Sequence, residues 1–200
     1  MESYDLQSVA ELLAGEYVVN SNRSVCVIVK SELYQRKKEN NIMFRTIRKK
    51  KNEISIDTAK ALLQSSRRGV LAVNGDDGYP YAIPINYVYD DDAQKIYFHG
   101  ARAGHKVDAL RACDKVCFTV YGNETIKEED WAPFVQSVVV FGRCHLVESS
   151  ARATTLLKRF AMKYYPSEQL VDEEIAHAGK DVQIFEIEVE HLSGKEIQER

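Results

Sequence analysis

A glycine-punctuated segment in the middle of the chain, residues 97–110, combines the residue types that bind a phosphate group. Its pattern predicts a strand, a turn that contains Gly100 and Gly104, and then the first turn of a helix. Backbone N–H groups at a helix N-terminus lack partners within the helix, and the helix dipole adds positive potential there. Lys106 adds a full positive charge, and His105 can add a second one. The segment therefore predicts a cradle for a phosphoryl group.

The spacing within this segment excludes two other phosphate-binding motifs. A P-loop needs four residues between its glycines and a Ser or Thr after its Lys to hold Mg²⁺, whereas three residues separate Gly100 from Gly104 and Val107 follows Lys106. The dinucleotide fingerprint G-x-G-x-x-G is also missing. The pattern thus favours a phosphate that is not part of a Mg-nucleotide, and it leaves a plain strand-to-helix connection open as the alternative.

A second unusual stretch, residues 79–89, contains two prolines inside a predicted strand. Pro80 and Pro84 each remove a donor from the strand ladder, which predicts an edge, a bulge or a backbone that turns towards another partner. Asn86 places an amide with two donors and an acceptor among apolar neighbours. A flat heteroaromatic ring that carries carbonyls and ring nitrogens would use such a site. A strained edge strand with a locally satisfied Asn86 is the alternative.

Short strands joined by turns are predicted to position these two stretches. The predicted strands are residues 70–73, 81–89, 95–99, 116–121, 137–147 and 185–190. The last strand alternates apolar residues with Glu186, Glu188 and Glu190, which predicts one buried and one solvent-exposed face. Ser55 and Ser150 are predicted to cap helices. Six mostly hairpin-connected strands predict a mainly β fold of the α+β type, an antiparallel barrel with peripheral helices.

Composition narrows the class of protein. The chain has 200 residues and a formal net charge of -3, which argues against general nucleic-acid binding. No apolar run approaches the roughly 20 residues that a membrane span needs, and the N-terminus does not look like a secretory signal. The four cysteines form no CxxC pair, so neither a disulfide framework nor a metal site is expected, and free thiols suit the cytoplasm. Residues 1–42 are predicted to be an N-terminal extension of unknown role, and residues 43–200 the barrel domain.

Taken together, the motifs resemble the pyridoxamine 5′-phosphate oxidase-like superfamily of FMN-binding split barrels, and within it the nitroimidazole-resistance (Nim-type) branch. The matching segments are residues 79–87, 96–101, 104–106, 116–120 and 137–143. The resemblance implies a six-stranded antiparallel split barrel of the FMN-binding type. It also implies a homodimer with FMN at the subunit interface.

The resemblance assigns the FMN contacts residue by residue. Those along the isoalloxazine ring would be Pro84, Ile85, Asn86 and Tyr87. Those beside the ribityl chain and the phosphate would be His99, Gly100, Ala101, Gly104, His105 and Lys106. Those that approach the flavin from the next strand or the other subunit would be Trp131, Ser137 and Val138. Oxidase members carry an Arg-Lys pair at the phosphate, so His105 makes one of the two charges dependent on pH.

The expected activity is electron or hydride transfer from a reduced nicotinamide to FMN and then to a small acceptor such as a nitroaromatic. The flavin would supply the redox chemistry, and the protein would supply position and electrostatics. His99 is the one candidate catalytic residue, as a group that contacts substrate or donates a proton. Two alternatives stay open: a flavin-binding module that stores or senses FMN without turnover, and the same barrel with haem or a deazaflavin as its ligand.

Overall fold

The computed structural model describes residues 44–126, 133–165, 167–179 and 182–198. Residues Ile47–Arg200 form one compact unit. The predicted N-terminal extension, its boundary at residue 42 and the predicted flavin contact Trp131 lie outside the described residues.

Seven strands, four α-helices and two short 3₁₀ helices, Lys50–Asn52 and Asp76–Gly78, make up the described unit. The strands are β1 (Arg68–Asn74), β2 (Pro80–Asn86), β3 (Val88–Asp90), β4 (Lys95–Gly100), β5 (Lys115–Thr125), β6 (Phe134–Leu146) and β7 (Gln183–Gln198). The helices are α1 (Ile56–Ser65), α2 (His105–Ala112), α3 (Ser150–Met162) and α4 (Glu168–Ala178). The hydroxyl of Ser55 caps α1 as predicted, but the cap of α3 is Ser149 and not Ser150.

The sheet closes on itself through one bent segment of chain. Its strand order is β2-β1-β5-β6-β7-β4-β3, so β2 and β3 lie at opposite edges although only Tyr87 separates them in sequence. The backbone N–H of Tyr87 donates to the Tyr164 hydroxyl at 2.8 Å, and that hydroxyl lies 2.7 Å from the Tyr87 carbonyl. Because a side chain satisfies these backbone groups, the chain can leave one edge and join the other. The predicted antiparallel split barrel is confirmed, with the predicted strand 81–89 divided into β2 and β3.

The barrel interior is filled by alternate residues of the strands. Phe98, Phe118 and Phe185 are fully buried in one core, where the rings of Phe98 and Phe185 stack at a centroid distance of 4.8 Å. The prediction that Glu186 faces solvent is wrong. Its carboxylate is covered because Arg152 of α3 pairs with it, and Lys95 of β4 donates to it at 3.0 Å. The solvent-exposed side of β7 therefore begins at Glu188, beyond the contact with α3.

Candidate functional site

The N-terminus of α2 presents unpaired backbone donors to open space. Gly104 caps the helix with φ +115°, a left-handed conformation that favours glycine, and a Cβ built there meets nothing within 4 Å. The carbonyl of Gly104 accepts from the N–H groups of Val107 at 2.8 Å and Asp108 at 3.1 Å. The N–H groups of His105 and Lys106, one step earlier, have no backbone acceptor among the described residues. These donors suit an anion.

The side chain of Lys106 lies half-buried beside this helix start. Its Nζ is 5.3 Å from the ring centroid of Phe98 and 5.1 Å from that of Phe185. A Cβ on Gly100 would lie 2.5 Å from Nζ, so the ammonium packs directly against a glycine backbone. Burial lowers the pKa of Lys106. Within the described part of the chain no carboxylate forms an ion pair with it, which leaves a positive charge without a counter-charge.

His105 points away from Lys106, towards the turn between β1 and β2. Its ring stacks on Tyr81 with centroids 4.2 Å apart, and its Nε2 lies 3.5 Å from Oδ2 of Asp76. Of the predicted His105–Lys106 pair, His105 thus already has an acidic neighbour. Phosphate binding by the His105 ring stays a prediction, and the geometry assigns the greater part of the cradle to Lys106.

His99 lies at the end of β4, on the other side of the sheet from Lys106's helix. Its ring meets Phe160 of α3 edge-on at 4.6 Å and lines an apolar cavity of about 90 Å³ beneath α3 and α4. Burial lowers the pKa of His99, and the nearby charge of Lys106 lowers it further. The lowered pKa favours the neutral imidazole, in which one nitrogen can donate a hydrogen bond and the other can accept one.

The predicted ring-contacting residues of β2 divide between two faces. Pro84 and Asn86 are exposed on the outer face, whereas Ile85 packs partly against the core. Tyr87 is fully buried, and its hydroxyl donates to the Leu63 carbonyl at 2.7 Å. The side chain of Tyr87 therefore belongs to the core, and its predicted place along a ligand ring stays a prediction.

The remaining predicted contacts lie on two other strands. Val138 of β6 is fully buried, so its side chain faces the core, and its contact with a flavin stays a prediction. Ser137, one residue earlier, is half-buried on the outer face opposite Tyr121 of β5. Ala101 follows β4 and is exposed beside Gly100. The structure thus places Gly100, Ala101, Gly104 and Lys106 in one turn and helix start, with Lys106 Nζ against Gly100.

The sequence profile of the family described as pyridoxamine 5′-phosphate oxidase matches residues 55–196. The chain belongs to the pyridoxamine 5′-phosphate oxidase-like family. This confirms the family predicted from the motifs around Pro84 and Lys106. No curated protein matches the chain in sequence.

Several solved structures share the split barrel of this family. A candidate 5-nitroimidazole antibiotic resistance protein from Bacteroides thetaiotaomicron has a TM-score of 0.61 and 17% identity, over 73% of this chain and 87% of that one. The flavocytochrome Anf3 from Azotobacter vinelandii has a TM-score of 0.59 and 18% identity, over 76% and 72%. An FAD-binding protein from Mesorhizobium loti has a TM-score of 0.52 and 24% identity, over 72% and 96%. At these identities the similarity establishes the fold. Across the described residues, no helix is long and apolar enough to cross a membrane.

The partly buried environment of Lys163 in this oxidase-like barrel could not be predicted from any sequence motif. Lys163, just after α3, donates from Nζ to the Ser66 carbonyl at 2.6 Å and lies 4.5 Å from the ring centroid of Tyr87. Burial, and to a smaller extent the charge of Arg67, lower its pKa to about 8. Residues 66 and 163 are far apart in sequence, so only their juxtaposition in the fold reveals this environment.

The lowered pKa of Lys163 predicts a specific pH dependence of stability. The folded pKa of about 8 lies below the ordinary value of 10.5, so the unfolded chain binds more protons between these two values. The contribution of Lys163 to the free energy of unfolding must then rise with pH across that window. We expect the free energy of unfolding of wild type to increase relative to that of Lys163→Met as the pH rises from about 7 to 9.5, as measured by urea unfolding. A difference that stays constant would show that Lys163 titrates normally.

Proposed function

We propose that this chain binds FMN and transfers electrons from a reduced nicotinamide to a small acceptor such as a nitroaromatic. The observation that carries the proposal is the ammonium of Lys106, which lies beside Gly100 and the open start of α2 without an acidic partner in the described residues. Membership of the oxidase-like family supports a flavin. The Mesorhizobium loti protein of the same fold is described as FAD-binding, which agrees with a flavin in this barrel.

The residues at the cradle fit a phosphate monoester. Lys106 supplies the fixed charge, the N–H groups at the start of α2 supply donors, and Gly100 and Gly104 leave room for close approach. Pro84 and Asn86 face outward along β2, where a flat ring could lie against the proline and meet the amide. When bound, the flavin supplies the electron transfer, while these residues bind and orient it.

His99 is the residue proposed to handle a proton. Its neutral imidazole can hold a proton at one ring nitrogen and offer it to a substrate in the cavity that Phe160 borders. Partial burial of the ring against Phe160 favours the neutral imidazole. No nucleophile is required for this chemistry.

We further propose a homodimer that packs through the outer face of the sheet. This outer face is defined by its small or apolar residues, paired across neighbouring strands: Val70, Ala72, Ala82, Pro84, Cys117, Thr119, Val139 and Phe141. None of them carries a charge, and a second copy would cover them. Ser137 and Pro84 would then lie at the subunit interface, where a flavin could contact both copies.

A charge in the middle of the outer face should separate the subunits. We expect wild-type protein to sediment as a dimer and Val139→Lys as a monomer with an unchanged circular dichroism spectrum, because an ammonium cannot be buried unpaired at an interface. Gln64→Lys, on the exposed side of α1, adds the same charge elsewhere and should remain dimeric. Monomeric wild-type protein at micromolar concentration contradicts the dimer.

The visible spectrum and turnover of purified protein test the proposed function. We expect flavin absorption and oxidation of NADH or NADPH in the presence of a nitroimidazole. Bound FMN without turnover would favour the storage or sensing module, whereas a haem or deazaflavin spectrum would favour another ligand. Protein that is colourless and takes up no added FMN contradicts the proposal. The free thiols of Cys113, Cys117 and Cys144 suit a cytoplasmic location, which we include in the proposal.

A further inference from the structure

A second cationic groove lies at the opposite end of β1 from the phosphate cradle. It has a volume of about 450 Å³, and its lining includes Ser66, Arg67, Arg68, Pro84, Thr119 and Tyr121. Both arginines are exposed, and neither forms an ion pair with a carboxylate of the described residues. No acidic side chain lines the groove. Two arginines that line one groove without an acid are favourable for binding an oxyanion.

The fold holds this charge in place. The guanidinium of Arg67 lies 5.1 Å from the ring centroid of Tyr164, whose hydroxyl oxygen is 2.6 Å from the Arg67 carbonyl oxygen and shares its proton between this carbonyl and that of Tyr87. Lys163 adds a third positive charge, because its Nζ is bonded to the carbonyl of Ser66 in the groove wall. Stacking on an aromatic ring reduces the freedom of the arginine side chain, so less entropy is lost when it binds an anion.

The position of the groove relates it to the proposed flavin. Strand β2 runs from Tyr81, stacked on His105 beside the cradle, to Asn86, which lies opposite Arg68. Five residues of strand separate these ends, or about 17 Å. Pro84, a proposed ring contact and part of the outer face, belongs to the wall of the groove, so the groove borders the proposed subunit interface. The arginines are therefore near the ring-binding part of β2 and remote from the phosphate-binding end.

We propose that Arg67 and Arg68 bind the oxyanion of the molecule that exchanges electrons with the flavin. The inference rests on the proposed function and gives the substrate class, a molecule with a phosphate or carboxylate group. Two sources share this chemistry: the diphosphate of a nicotinamide dinucleotide, or an acidic group on the acceptor. The arginines bind and position the anion and take no part in the electron transfer.

Charged and neutral substrates of similar reactivity separate the two sources. NADPH is compared with 1-benzyl-1,4-dihydronicotinamide, which has no phosphate, and 4-nitrobenzoate is compared with 4-nitrobenzamide. In the double variant Arg67→Gln/Arg68→Gln we expect KM for one charged partner to rise about 10- to 100-fold, with the neutral compounds within about twofold. A rise for NADPH identifies the dinucleotide, and a rise for 4-nitrobenzoate identifies the acceptor. Arg111→Gln, an exposed arginine on α2, should leave every KM unchanged.

Binding of inorganic pyrophosphate gives a readout that does not depend on turnover. By calorimetry, the double variant should lose a pyrophosphate site that Lys106→Met retains, because the arginines and Lys106 are at different ends of β2. If turnover is observed, unchanged KM values for both charged partners overturn the inference. If the protein binds no flavin or shows no turnover, the proposed function fails on its own account. The calorimetry then tests the arginine site directly: a pyrophosphate isotherm that the double substitution leaves unchanged overturns the assignment of Arg67 and Arg68.

Discussion

Replacement of Lys106 with methionine should weaken FMN binding by about 10- to 150-fold. A hydrogen bond to a charged group contributes about 1.5–3 kcal/mol, and each 1.4 kcal/mol is a factor of ten in affinity. Lys106 is the one side chain of the cradle whose charge lacks an acidic partner in the described residues, so no neighbour can replace it. The measurement is the dissociation constant of FMN from quenching of its fluorescence by the flavin-free protein.

Stability separates a binding role of Lys106 from a structural one. Burial lowers the pKa of Lys106, which means that its charge is unfavourable in the flavin-free protein. Methionine fills similar space against Phe98 and Phe185 without that cost, so the flavin-free variant should unfold at the same urea concentration as wild type or a higher one. Lys115→Met, on an exposed residue of β5, is the matched control and should bind FMN normally. Unchanged FMN affinity in Lys106→Met would remove the phosphate assignment.

Gly100→Ala tests the contact between Lys106 Nζ and the Gly100 backbone by changing the glycine instead of the lysine. A Cβ there would lie 2.5 Å from Lys106 Nζ and 3.5 Å from the ring of Phe185, so the flexible ammonium must move. FMN affinity should fall although the charge is retained. Normal affinity in this variant would show that the position of Nζ against the backbone is unimportant.

Truncation of Phe118 to alanine should lower the free energy of unfolding by about 3–5 kcal/mol, the usual cost of removing a buried phenylalanine. The ring is fully buried and meets the ring of Tyr87 at 4.7 Å. It also fills the space that a side chain on Gly69 would need, since a Cβ there would lie 2.2 Å from Cζ. Because Phe118 contacts the bend at Tyr87, its loss leaves a cavity where the barrel closes.

An exposed aromatic residue provides the control for Phe118. Tyr79 is 76% exposed in the turn before β2, and Tyr79→Ala should change the free energy of unfolding by no more than about 0.5 kcal/mol. Urea unfolding, with linear extrapolation, measures both variants. Similar small effects in the two variants would mean that the interior around Phe118 can collapse to fill the cavity.

Adjacent residues at the end of β4 serve two sides of the sheet. His99 meets Phe160 of α3, whereas Gly100 packs against Lys106 of α2. Successive residues of a strand face opposite sides, so one strand end supplies both the anchor of the cradle and the candidate proton donor. In the observed register His99 pairs with Ile184. A shift of one residue in the pairing of β4 with β7 would exchange the sides that His99 and Gly100 face.

The features that the sequence alone determined are local. The turn that contains Gly100 and Gly104, the helix start that follows it and the hydroxyl cap at Ser55 depend on residues that are close in the chain. Backbone sterics and capping act over a few residues. The placement of Gly100, Gly104 and Lys106 at a helix start was predictable for this reason, because they lie in one continuous segment, and phosphate binding there stays a prediction.

The features that only the tertiary structure decided join residues distant in the chain. Tyr87 belongs to the core and turns the backbone because Tyr164 satisfies its N–H, 77 residues away. Lys163 loses water because it packs on Tyr87 and bonds to Ser66, 97 residues away. Burial and electrostatic environment depend on which elements pack together, and a barrel joins elements that no local pattern connects.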